Sequence, residues 1–113
     1  MKTMPFILAI ASLASLASLA SVISSAHAAE FEVLQKDKKF SMKKLAVKVG
    51  DSVSFKNEDP FSHNVFSLSD GKTFDLGSYP QGQAKKVTFD KPGVIDVECA
   101  IHPDMIIKIE VQK

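Results

Sequence analysis

The residues best suited to chemistry lie near the end of the chain, in the segment Cys99-Ala100-Ile101-His102-Pro103-Asp104-Met105. Here two residues separate the thiol of Cys99 from the imidazole of His102, and two more separate that imidazole from the thioether of Met105. A second imidazole, His63, lies well upstream. Two imidazoles, one thiolate and one weakly bound thioether are the donors of a blue copper site. The four side chains therefore predict one type 1 copper ion held by His63, Cys99, His102 and Met105.

Alternating apolar residues predict the strands that position these donors. Ile95, Val97 and Cys99 share one face of a predicted strand. The next strand places a second apolar set on one face: Met105, Ile107, Ile109 and Val111. Both sulfur atoms should therefore point into the same interior, joined by a loop short enough to bring three ligands to one ion. His63 must then come from the end of a neighbouring strand.

The rest of the chain also reads as strands and turns. Shorter strands are predicted at residues 31–35 and 64–68. The turn Gly50-Asp51 predicts a hairpin between the alternating segments on either side of it. Residues 69–83 contain several turn-forming residues and are predicted to be an irregular connection. No segment after residue 28 shows sustained helical periodicity, so an all-β sandwich or a barrel is expected.

The first 28 residues are predicted to be a secretory signal peptide. Lys2 precedes a long apolar run over residues 6–23, and Ala26-His27-Ala28 supplies the small residues that a signal peptidase reads. An uncleaved membrane anchor is the alternative, although this run is at the short end for a membrane span. Cleavage after Ala28 would leave one domain over residues 29–113. We expect this domain in the periplasm, with no membrane attachment.

Composition excludes several classes of protein. The 14 basic residues are all Lys and nearly balance 13 acidic residues, so no polybasic arm for nucleic acid is present. A single Cys excludes an internal disulfide, which makes a bound metal the expected stabiliser of so small a domain.

A lysine-rich segment, residues 36–44, has two interpretations. It is a solvated edge that discourages strand pairing, or it is a docking patch for an acidic partner.

From about residue 45 to residue 113 the sequence resembles a small cupredoxin of the amicyanin and plastocyanin-like group. The matching residues are His63-Asn64-Val65 and Cys99-x-x-His102-Pro103-x-Met105, followed by a terminal strand. The resemblance implies a Greek-key sandwich, one type 1 copper ion and transient one-electron exchange with redox partner proteins. A dehydrogenase, a cytochrome or an oxidase would fit as a partner, and a monomer is expected. The sequence departs from the pattern at Ala100, where many relatives have Ser or Thr, and at Ile101, where Pro is frequent.

Two other classes of function fit part of the pattern. A Cys–His hydrolase needs an exposed nucleophile and a base held by a third group, whereas Cys99 faces inward by strand parity. A copper carrier or chaperone remains the alternative function, although such proteins often use repeated Met or His ligands. Zinc suits Cys and His but gains nothing from Met105. We therefore expect an electron carrier rather than an enzyme, with the ring edge of His102 exposed to partners.

Overall fold

The structure is a computed structural model that describes residues 27–113. The described part contains nine strands and no helix. It therefore has no helix that could cross a membrane. These are β1 (Glu30–Lys36), β2 (Lys39–Phe40), β3 (Lys44–Lys48), β4 (Ser52–Asn57), β5 (His63–Ser69), β6 (Lys72–Tyr79), β7 (Ala84–Thr88), β8 (Gly93–Cys99) and β9 (Ile106–Gln112). Almost all of the predicted signal peptide lies outside the described residues, so its cleavage stays a prediction.

The strands form two sheets that share one apolar core. The first sheet has the order β2-β1-β4-β7 and the second has the order β3-β9-β8-β5-β6. Buried residues from both sheets form a single cluster, with Val33 and Phe55 from the first sheet and Val65, Val97 and Ile109 from the second. The all-β sandwich predicted from the alternating pattern is confirmed.

The two strands that carry the sulfur atoms follow the predicted pattern closely. On β8, Ile95, Val97 and Cys99 are all buried. The buried set that continues along β9 is Met105, Ile107, Ile109 and Val111. On the outer face, the Lys108 ammonium lies 2.8 Å from an Asp96 carboxylate oxygen. Period-two alternation thus determines which side chains point into the core.

The hairpin predicted around Gly50-Asp51 is wrong. β3 pairs in parallel with β9 in the second sheet, whereas β4 belongs to the first sheet and pairs with β1 and β7. The chain crosses between the sheets at Gly50, whose φ of 98° is a conformation that glycine adopts readily. Alternation predicts a buried face in either arrangement, because both sheets bury one face against the same core.

The irregular connection predicted for residues 69–83 is also wrong over most of its length. β6 occupies Lys72–Tyr79 and pairs with β5 across the two-residue turn Asp70-Gly71. Gly77 has a φ of 72°, and its N–H donates to an Asp75 carboxylate oxygen at 2.8 Å. The glycine therefore marks an irregularity inside an edge strand rather than the absence of a strand.

Candidate metal centre

Neighbouring strands bring His63 and Cys99 to the same end of the second sheet. β5 and β8 are antiparallel, with Val65 opposite Cys99. His63 is the first residue of β5 and Cys99 is the last residue of β8, so both lie at this end. The structure thus places His63 at the end of a strand next to β8, as the sequence predicts.

The three donor atoms are close enough to share one ion. Cys99 Sγ lies 3.7 Å from His63 Nδ1 and 3.6 Å from His102 Nδ1, and one ligand atom from each of the three residues lies within 4.8 Å of the others. A metal about 2.3 Å from sulfur and about 2.1 Å from nitrogen, at tetrahedral to trigonal angles, separates the two donors by about 3.6–3.8 Å. The observed spacings match this range, so the residues present fit a single bound metal.

The ligand loop closes on itself through backbone hydrogen bonds. The Cys99 N–H donates to the Met105 carbonyl at 3.2 Å, and the Met105 N–H donates to the His102 carbonyl at 3.0 Å. These bonds fold His102 back toward Cys99. Met105 is completely buried beneath this loop, and its role as the weak fourth ligand stays a prediction.

Asp59 is a functional residue that the sequence analysis missed. One of its carboxylate oxygens, Oδ2, lies 2.6 Å from His63 Nε2, and both side chains are buried. Donation from Nε2–H to the carboxylate leaves Nδ1 without a proton and directs it toward Cys99, as a metal ligand requires. The only sequence signal is an Asp four residues before a His, which is too common to identify such a pair.

The same carboxylate also holds the turn between β1 and β2. Its oxygens accept the backbone N–H groups of Asp37 at 2.7 Å and Lys38 at 3.1 Å. Burial by itself raises the pKa of Asp59, but the hydrogen bonds from His63, Lys38 and Asp37 outweigh it and hold this pKa below the usual range. Asp59 is therefore an ionised acceptor that joins a surface turn to a ligand imidazole.

Asn57 orders the connection that carries Asp59 to the site. Its fully buried side chain accepts the Asp59 N–H at 2.8 Å. Its Nδ2 donates to the carbonyls of Phe61 at 2.8 Å and Tyr79 at 2.9 Å. All of the amide's contacts fall on the segment before His63 or on the neighbouring strand β6, so the segment has one defined path.

The two ligand segments are tied by backbone rather than by a side-chain hydroxyl. The Ala100 N–H donates to the Asn64 carbonyl at 3.1 Å. The Asn64 side chain turns the other way and donates to Asp75 on β6 at 3.0 Å. Alanine at position 100 thus leaves the segments connected, while Asn64 braces β5 against the edge strand.

Apolar side chains surround the exposed edge of the site. The Phe61 ring centre lies 5.3 Å from that of His63 and 5.9 Å from that of His102. Phe61 is 40% exposed and Ile101 is 59% exposed. His63 is completely buried, whereas His102 is partly exposed. His102 is therefore the imidazole that a partner could approach, as the sequence predicts.

A β-sandwich that gathers a thiol and two imidazoles at one end is the framework of a cupredoxin, a small copper-binding β-protein. Comparison with known families agrees, because the model for copper-binding proteins of the plastocyanin/azurin family matches residues 27–112. The chain belongs to this family, and its cofactor is copper in a type 1 site.

Individual relatives agree with this assignment. The methylamine utilization protein MauL of Methylorubrum extorquens is 36% identical over 86 residues, which cover 75% of this chain and 74% of that protein. Amicyanin-alpha of the same organism is 30% identical over 93 residues, covering 80% of this chain and 78% of that protein. The structure of an oxidised amicyanin variant is 29% identical, with a TM-score of 0.68 over 74% of this chain and 82% of that chain. The chain is similar to each of them.

Proposed function

We propose that the protein is an electron carrier that exchanges single electrons with redox partner proteins outside the cytoplasm, and that it is not an enzyme. The observation that carries the proposal is the convergence of Cys99 Sγ with the Nδ1 atoms of His63 and His102. Copper bound there supplies one-electron chemistry by alternating between Cu(II) and Cu(I), which this mixture of nitrogen and sulfur donors accommodates. Met105 is proposed as the weak axial ligand.

Each proposed ligand has a distinct task that its surroundings support. His63 is buried and oriented by Asp59, so it keeps its position in both oxidation states. Cys99 is buried, which protects its sulfur from solvent and oxidants. His102 directs Nδ1 inward and leaves the opposite edge of its ring near the surface. A site held by strand ends and a closed loop moves little on electron exchange.

The proposal includes export. Residues 1–28 would act as a signal peptide, and residues 29–113 would form the periplasmic domain. The cupredoxin sandwich supports this boundary, because β1 begins at Glu30, directly after the proposed cleavage site. Mass determination of protein recovered from the periplasm should give the chain beginning at Ala29. Recovery of the full-length chain in the membrane fraction would contradict the proposed cleavage.

The absorption and electron spin resonance spectra of copper-loaded protein test the ligand set. Cys99→Ser should abolish the intense visible thiolate-to-copper absorption, because serine has no comparable charge-transfer donor. Met105→Gln should keep the copper and lower its reduction potential. Met42→Gln is the matched control, since Met42 packs against the core and is not a proposed ligand. A coloured Cys99→Ser protein would exclude Cys99 as the thiolate ligand.

A copper carrier or chaperone is the second candidate function. The complete burial of His63 and the burial of Cys99 count against it, because labile transfer requires ligands that an incoming protein can reach. Copper loss to an excess of chelator, compared with the electron self-exchange rate, separates the two functions. Slow loss with rapid self-exchange supports the electron carrier, and the reverse supports the carrier of copper.

A further inference from the structure

We infer that a lysine-lined cleft beside His102 is the docking surface for an acidic face of the redox partner protein. This inference rests on the proposed function and names the chemistry of the partner. We call this feature the lysine cleft. It is lined by residues 37–40 and Lys43 from the basic segment, and by the ligand-loop residues His102, Pro103 and Asp104 with Ile106. Its volume is about 660 Å³.

The position of the lysine cleft connects the basic segment to the proposed electron port. Residues 37–40 comprise the turn Asp37-Lys38 and strand β2, and they lie more than sixty positions before His102 in the chain. The fold nevertheless brings this segment and His102 together in the lining of one concave surface. β2 is an edge strand, but the position of this segment beside His102 favours the docking interpretation.

The cleft carries a net positive charge, because its lysines outnumber its carboxylates. Lys38, Lys39 and Lys43 line it, against the two carboxylates of Asp37 and Asp104. All five lysines of the basic segment are exposed, namely Lys36, Lys38, Lys39, Lys43 and Lys44. Within residues 27–113, the ion pairs with carboxylates involve Lys56, Lys72, Lys86 and Lys108 instead. The segment therefore keeps its charge for an external anion.

The turn that carries Lys38 is also fixed by hydrogen bonds next to the ligand site. Asp37 and Lys38 have φ values of 56° and 61°, and Asp59 binds both of their backbone N–H groups. The Lys38 ammonium lies 6.0 Å from the centre of the Phe61 ring, which in turn contacts His102. A turn fixed in this way presents its charges without the cost of ordering a mobile loop.

These features define the partner's surface. Carboxylates on the partner would meet Lys39 and Lys43, while an apolar centre would meet the exposed side chains of Phe61 and Ile101 next to His102. Opposite charge at the rim raises the association rate and aligns the two proteins, and brief apolar contact permits rapid release. The rate of electron exchange should therefore fall as salt is added.

Electron exchange with small charged probes tests the cleft. The reduced, copper-loaded protein is mixed with ferricyanide, which accepts one electron and becomes ferrocyanide, or with the cation tris(phenanthroline)cobalt(III), which is reduced to cobalt(II). The test variant is Lys39→Glu with Lys43→Glu. The control is Lys91→Glu with Lys113→Glu. Both lysines are exposed; Lys91 lies before the start of β8 and Lys113 lies after the end of β9, and these strand ends are remote from the ligand loop.

At about 0.1 M ionic strength, where the Debye length of about 10 Å confines the effect to charges near the port, the test variant should react about tenfold more slowly with ferricyanide and faster with the cobalt cation. The control variant should stay within about twofold of the unmodified protein. Unchanged visible spectra and reduction potentials verify that both variants retain the site. Equal effects of the two variants would overturn the inference, because overall charge would then account for the rates.

A peptide titration tests the protein-like partner directly. Hexaglutamate added to the isotope-labelled Cu(I) protein should shift the amide resonances of residues 37–43 and 102–106, and the test variant should lose this response. Hexalysine should shift none of them. Shifts confined to lysines elsewhere would overturn the inference, as would binding of anionic lipid vesicles through the same lysines with no response to hexaglutamate.

Failure of the docking surface and failure of the proposed function give different results. A protein that exchanges electrons with both probes at salt-independent rates would retain its function as a carrier and lose only the docking inference. A protein that holds no copper, or exchanges electrons with neither probe, would lose both.

Discussion

At the scale of single residues, the carboxylate of Asp59 contributes more to the arrangement of the metal site than its place in the sequence indicates. It orients His63, and it accepts two backbone N–H groups from the β1–β2 turn. A group outside the ligand set therefore determines which imidazole nitrogen faces the thiol of Cys99. Such supporting contacts are a regular feature of metal sites, because an oriented ligand loses less freedom on binding the metal.

Asp59→Asn tests this role. The amide keeps the shape of the side chain but presents an N–H donor on one side and carries no charge, so His63 loses its ionised acceptor. Copper affinity should fall by about 10–100-fold, measured by competition with a chelator. The reduction potential should shift as well, whereas a merely structural contact would leave it unchanged.

Asp90→Asn is the matched control for this change, since the Asp90 side chain is 67% exposed and lies in the turn before β8. It should leave both affinity and potential unaltered. Wild-type copper affinity in Asp59→Asn would show that His63 needs no help from the carboxylate.

At the scale of strands, Tyr79 connects three elements through one hydroxyl group. The hydroxyl donates to the Phe55 carbonyl on β4 at 2.7 Å and accepts from Gln35 Nε2 on β1 at 2.9 Å. Burial raises the pKa of Tyr79 to about 12, although the hydrogen bond from Gln35 acts in the opposite direction. The phenol therefore stays protonated at ordinary pH and can serve as donor and acceptor together.

Tyr79→Phe should lower the free energy of unfolding by about 1–3 kcal/mol, because the buried Gln35 amide and the Phe55 carbonyl lose their partner. Urea titration of the copper-free protein measures this change. Thr88→Val is the control, since it removes a 2.8 Å hydrogen bond between Ser52 and Thr88 that is exposed. The control should cost less than about 0.5 kcal/mol, and an equal loss in both variants would contradict the prediction.

At the scale of the whole molecule, Asp51 fastens the point where the chain passes between the two sheets. Its carboxylate accepts the N–H groups of Lys48 and Ala29, each at 2.8 Å. The hydrogen bonds from Lys48 and Ala29 lower the pKa of Asp51 from its usual value of 3.8, and they outweigh the opposing effect of burial. The folded state therefore favours the ionised carboxylate more strongly than the unfolded state does.

This shift predicts an acid-dependent loss of stability. Above about pH 5 the carboxylate is ionised in both states and its full contribution is present, and the contribution disappears as the pH falls through the lowered pKa of the folded state. Unfolding free energies of copper-free protein, measured between about pH 6 and pH 2, should decline less steeply for Asp51→Asn than for the unmodified chain. Parallel curves would show that Asp51 titrates alike in both states.

The sequence by itself determined the strands that bury alternate residues and the types of donor atom in the metal site. Alternation specifies which face of β8 or β9 is buried. Cys99, His102 and Met105 follow one another within one short segment of the sequence. Both features are local, so they can be read without knowing how the chain folds.

Only the tertiary structure decided which strands pair, which group orients His63 and where the lysines lie. A buried face satisfies the hydrophobic effect in either sheet, so the alternation around Gly50 could not distinguish a hairpin from a crossing between sheets. Hydrogen bonds join Asp59 to the distant β1–β2 turn, and packing brings residues 37–43 next to residues 102–106 in the lysine cleft. Such contacts leave no periodic pattern, because they depend on the distance between residues in space rather than along the sequence.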